Sequence, residues 1–206
     1  MRQSHHSAVG IRHGNSIWNE FCEKIDLYHP QVETVVMFDQ HDVIDTLCDW
    51  DVAVDVAVDV DHFDPVLPLV CSFGRDHRAE TFRKEVAWAP FVAECEGYIF
   101  TDYRQGYHGT IDIYRDSWMG QDTIGVRGDK GQVASLFGKP VLLFDDNEEN
   151  IELLRARSSC QCPLDGVVVR RGKKTRWSVY ETFCSSSDPK EWIDIMRHFN
   201  LTRKVP

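Results

Sequence analysis

Apolar residues recur along this chain in short runs, each closed by a polar turn. Val32 to Phe38 (VETVVMF) is β-branched and apolar and predicts a core strand that ends at Asp39. Val66 to Val70 (VLPLV) predicts a second strand, weakened by Pro68 and running into Cys71-Ser72. Gly97 to Phe100 is a third, short candidate, and Val167 to Val169 a last one. Val141 to Phe144 is too short for a helix and follows Gly138-Lys139-Pro140, which suits a strand buried on both faces of a parallel sheet. Asp145 and Asp146 stand where that strand reaches its carboxyl end. Between these runs the period changes to a helical one. Ser16 to Leu27, capped by Ser16, Arg75 to Trp88, Gly131 to Phe137 and Ile151 to Arg157 read as helices. Asn147 caps the last of these, with Glu148 and Glu149 in its first turn. A final helix begins at Asp188, with Pro189 in its first position, and runs to about Asn200. Thr101 to Asp122 carries no readable pattern. Strands alternating with helices predict a three-layer α/β/α sandwich around a mostly parallel, Rossmann-like sheet.

One stretch keeps a strict period of two. From Asp49 to Asp61 (DWDVAVDVAVDVD) valine fills every even position from Val52, which predicts a strand or hairpin arm with one valine face. Asp51, Asp55, Asp59 and Asp61 share the other face, and a solvated face is expected, since the glycine and terminal Glu of a calcium loop are missing. Residues 1–15 form a polar leader expected to be disordered, leaving 16–206 as a single domain. A net charge of -10 argues against nucleic acid as a general partner. No apolar run reaches transmembrane length and the start of the chain lacks the apolar core of a secretion signal. Seven scattered cysteines predict a reduced, cytoplasmic chain, and Cys160-Gln161-Cys162 does not have zinc-ligand spacing. The basic run Arg170 to Arg176 is expected to be a solvated turn.

Three predicted strand ends carry chemistry: Asp39, Ser72, and the pair Asp145 and Asp146, with Lys130 shortly before the last. Taken singly, each is an ordinary turn, cap or surface charge. Together they supply a nucleophilic carboxylate, a hydroxyl and an ammonium to hold phosphate oxygens, and carboxylates for Mg²⁺. In this order they resemble the haloacid dehalogenase (HAD) superfamily, over roughly Val32 to Val169. Phe38-Asp39-Gln40-His41-Asp42-Val43 resembles its first motif, Ser72 its second, Lys130 (or Lys139) its third, and Asp145-Asp146 its fourth. The paired acids also read like the opening of a receiver domain, but too little chain follows them for that fold. The HAD resemblance implies a Mg²⁺-dependent phosphatase acting on a phosphorylated small molecule or macromolecule. Asp39 would be the nucleophile, and Asp39, Asp145, Asp146 and the His41 backbone carbonyl would hold the metal. The spacing from Asp39 to Ser72 leaves room for a minimal flap at about 47–64 and no large cap. The chain departs from the pattern at His41, where the family has its general-acid aspartate, and at Val43, where it has threonine. Histidine can shuttle protons near neutral pH. The same departures fit an alternative, a catalytically inactive HAD-like domain serving as a binding or regulatory module.

Overall fold

Runs of consecutive apolar residues, rather than alternating ones, build the strands, because the central sheet is buried on both faces. In the computed structural model the described residues are 15–40, 43, 66–74, 97–102, 109–115, 122–168, 175–176 and 183–184. In chain order they form α1 (Asn15–Lys24), β1 (Thr34–Phe38), β2 (Val66–Phe73), β3 (Gly97–Thr101), β4 (Asp112–Tyr114), β5 (Thr123–Arg127), α2 (Lys130–Leu136), β6 (Val141–Asp145), α3 (Glu148–Ala156), β7 (Leu164–Val168), β8 (Thr175–Arg176) and β9 (Phe183–Cys184). Seven strands make one sheet in the order β4-β5-β3-β2-β1-β6-β7, while β8 and β9 pair separately. All neighbours in the large sheet are parallel except β4, which runs antiparallel to β5 at the edge.

The fold is therefore mixed α/β with a mostly parallel sheet. Val35, Met37, Leu69, Cys71, Ile99, Val141 and Leu143 point to one face, where they pack with Trp18 and Phe21 of α1, Val133 of α2 and Ile151 and Leu154 of α3. The opposite face, with Val36, Phe38, Val70, Phe100, Leu142, Phe144 and Val167, is buried to the same degree. On it the rings of Phe38 and Phe144 stack 5.1 Å apart, a contact worth about 0.5–1.5 kcal/mol beyond the area it buries. Phe38 and Phe144 are in register, and each is followed by an aspartate. The stack thus fixes the level at which Asp39 and Asp145 leave the sheet.

Most predicted elements recur with shifted ends. α1 starts at Asn15, so Ser16 lies inside its first turn and not at the cap. β2 accommodates Pro68 because β3 begins only opposite Leu69, leaving one side of the strand without a ladder partner at the proline. The unread stretch from Thr101 contributes β4, and β5 was not predicted. Asn147 caps α3 as expected, its side chain accepting from the Glu149 N–H at 3.0 Å. Residues 1–14 of the leader, His41, the valine-aspartate repeat with its flap, the helices beginning at Arg75 and Asp188, and most of the basic run lie outside the described residues, while Asn15, the leader's expected end, already belongs to α1. Among the described residues no helix is long and apolar enough to cross a membrane.

Candidate functional site

Parallel strands present their carboxyl ends to the same edge of a sheet, and such edges are where open α/β folds bind ligands. Here adjacent strands β1 and β6 deliver Asp39 and Asp145 to that edge, both buried. Both fall on the helix-covered face by alternation with Met37 and Leu143. Lys130, the first residue of α2, reaches them from that face. Its Nζ lies 3.0 Å from Asp39 Oδ1 and 2.5 Å from Asp145 Oδ2, and the side chain is 2% exposed. Burial alone would lower the lysine pKa, but the two carboxylates outweigh it and raise the pKa above the usual lysine range. The ammonium therefore stays charged.

Asp145 is the most heavily bonded group. Its Oδ1 accepts from the Asn147 N–H at 2.8 Å, and the Asn150 side-chain amide lies 3.1 Å from Oδ1 and 3.0 Å from Oδ2. Burial pushes its carboxyl up from the ordinary value, and Lys130 together with the Asn147 N–H draws it back in part. Asp39 Oδ1 accepts from the Gln40 N–H at 2.7 Å as well as from Lys130, so among the described contacts its second oxygen is left over. Asp146 is exposed beside them, and oxygens of Asp39, Asp145 and Asp146 lie within 4.8 Å of one another. This cluster can hold a metal ion. Its donors are hard carboxylate oxygens, the set that suits magnesium, calcium or manganese. Three carboxylates beside one ammonium leave two negative charges, which a divalent cation balances.

Ser72 arrives at the same edge on β2, two residues past the Phe38–Val70 pairing. It is buried, and its hydroxyl has no hydrogen-bond partner among the described residues. Alternation places it on the face opposite Lys130, so the structure brings it to the edge without joining it to the ion-paired cluster. Its backbone carbonyl accepts from the Thr101 hydroxyl at 3.4 Å, tying the ends of β2 and β3. Its neighbour Cys71 does face the cluster. Burial pushes that thiol up to about 12, with Lys130 opposing, so it is a neutral thiol and not a nucleophile. Lys139 is elsewhere, with its Nζ on the Val32 carbonyl oxygen at 2.6 Å. Of the two candidate lysines, Lys130 is the one at the carboxylates. His41 lies outside the described residues, whereas Val43 is fully buried.

Four residues that the sequence reading did not single out support the cluster: Asn150, Asp129, Gln132 and Arg157. Asp129-x-x-Gln132 carries a readable signal, the spacing of a capping box. Both of its reciprocal bonds are present, from Gln132 N–H to Asp129 Oδ1 at 2.8 Å and from Asp129 N–H to Gln132 Oε1 at 3.0 Å. Asn150 and Arg157 act through contacts that no local pattern announces. Comparison with known protein families, curated proteins and solved structures finds no match to this chain.

Proposed function

We propose that this chain is a Mg²⁺-dependent phosphohydrolase of the HAD-like kind, working through an aspartyl-phosphate on Asp39. The observation that carries the reading is the buried Lys130 ammonium shared by Asp39 and Asp145, with Asp146 beside them, at the carboxyl ends of adjacent parallel strands. Solvated turn carboxylates have no need of a buried cation, and breaking such a pair is costly, so the arrangement suits a site more than a surface. The fold expected with it is the three-layer sandwich with a small flap, open enough for a phosphorylated small molecule or macromolecule.

Asp39, Asp145, Asp146 and the His41 backbone carbonyl would hold the ion, which when bound polarises phosphoryl oxygens and offsets their charge. The Asp39 oxygen not engaged by Lys130 attacks phosphorus, and the bond to the leaving oxygen breaks as the new one forms. His41 gives that oxygen its proton and then takes one from the water that hydrolyses the acyl phosphate. Lys130 holds phosphoryl oxygens from the cluster side, and the Ser72 hydroxyl, without a partner among the described residues, holds them from the opposite side of the strand edge.

A specific observation favours the second reading, a binding or regulatory module without turnover. Val43 is packed into the interior where the motif has a threonine. Hydrolysis of an aryl phosphate with and without Mg²⁺, beside Asp39→Asn, decides between them. Mg²⁺-dependent turnover lost in Asp39→Asn is the expected result. Turnover no higher than that of Asp39→Asn, together with no Mg²⁺ binding by calorimetry, would overturn the enzyme reading.

A further inference from the structure

Lys130 sits at the first position of a helix only seven residues long. A helix that short has little stability of its own, so its placement has to come from outside it. Besides the two carboxylates on Lys130 itself, the charged group that grips its start among the described contacts is Arg157, the C-cap residue of α3. Arg157 Nη2 donates to Asp129 Oδ2 at 3.0 Å, and Nη1 to the Leu153 carbonyl at 3.2 Å, which holds the guanidinium against its own helix. Asp129 is fully buried, with its other oxygen capping α2 through Gln132. Gly131 completes the contact: a β-carbon there would lie 2.9 Å from Arg157 Nη1 and 3.2 Å from the Leu153 carbonyl oxygen. Glycine is what lets the two helices close on the guanidinium.

α3 also begins immediately after Asp145, Asp146 and the Asn147 cap. Its cap and first turn therefore bond Asp145 through the Asn147 N–H and the Asn150 side chain, and its C-cap Arg157 holds the helix that carries the lysine. We infer that Arg157, through Asp129, is a positioning residue that sets where Lys130 stands relative to Asp39 and Asp145. The inference rests on the phosphohydrolase reading only for what Lys130 does there. Where Lys130 stands is testable without turnover, so the two fail separately.

The experiment is reductive methylation of the full chain with formaldehyde and a borane, with each lysine followed by mass spectrometry. Lys130 and Lys139 are both held in the native protein, one at the cluster and one on the Val32 carbonyl. Arg157→Met and Asp129→Asn remove the charge pair, the latter keeping a good helix cap. In both, Lys130 is expected to be methylated about tenfold faster or more by local opening, with Lys139 unchanged. Arg157→Lys, which keeps a charge but not the fork, is expected to fall between. Three results would overturn the inference: Lys130 as reactive as surface lysines in the native protein, Lys130 equally protected in Arg157→Met, or a parallel rise at Lys139, which would mark Arg157 as a support of the whole fold.

Discussion

Burying the Lys130 ammonium costs solvation that Asp39 and Asp145 return, so removing it leaves two carboxylates facing each other with little water. Lys130→Met is apolar and of similar size, and is expected to destabilise the fold by about 3–5 kcal/mol in urea unfolding at neutral pH. The loss has a pH signature. Asp145 is already raised above its ordinary 3.8 by burial, and without the ammonium that draws it back it rises further. A carboxyl raised in the folded state binds more protons there than in the unfolded chain, so its contribution is present at low pH and lost as pH rises through the folded value. The deficit of Lys130→Met against the native protein should therefore shrink on acidification from pH 8 toward 5. A deficit constant across that range would show that the lost interaction is not this charge pair. Asp39 and Asp145 were legible in the sequence because each closes an apolar run that forms a strand, whereas Lys130 opens α2 and was reached only through the order of the motifs. Asn150 and Arg157 were not legible, because their partners are set by the packing of α3 and by no spacing along the chain.

At the scale of elements, β6, α3 and β7 form the frame that carries the acids. Arg155 of α3 bonds Asp165 Oδ1 at 2.7 Å and the Gly166 carbonyl at 3.0 Å, holding the helix to β7. Gly166 lets α3 lie close: a β-carbon there would come within 2.4 Å of Ile151 Cδ1 and 2.7 Å of the Leu143 carbonyl oxygen. The isoleucine methyl can turn away, but the β6 backbone cannot. Gly166→Ala is thus expected to cost about 1–3 kcal/mol by thermal unfolding, and Ile151→Val in the same chain should not recover it. Full recovery would place the clash on the side chain alone. The same logic explains the strand that the pattern missed. Thr-Ile-Gly-Val-Arg (β5) has a glycine where a strand signal needs a side chain, and that glycine is covered by the Tyr114 ring from β4, 2.3 Å from where a β-carbon would be. β6 was readable because four apolar residues run without a break, the mark of a strand with helices or strands on all sides.

For the whole molecule, a net charge of -10 means that any added cation screens self-repulsion and stabilises the folded chain somewhat. Stabilisation by Mg²⁺ has to be separated from that background. Binding at one site adds about 2.7 kcal/mol when the free ion is at a hundred times its dissociation constant, whereas NaCl at matched ionic strength adds only the screening. Asp146 is the residue to vary, since it is exposed while its oxygen lies in the carboxylate cluster. Exposed substitutions away from the core usually change stability by about 0.5 kcal/mol or less, so Asp146→Asn should unfold near the native temperature without divalent ions. With Mg²⁺ its gain should be smaller than that of the native chain, and with matched NaCl the two should gain alike. Equal Mg²⁺ gains in both chains would mean that Asp146 is no ligand and that the ion acts on the molecule's overall charge. An unequal gain would locate the ion at the edge where β1 and β6 end, within reach of the oxygen that the proposed chemistry uses.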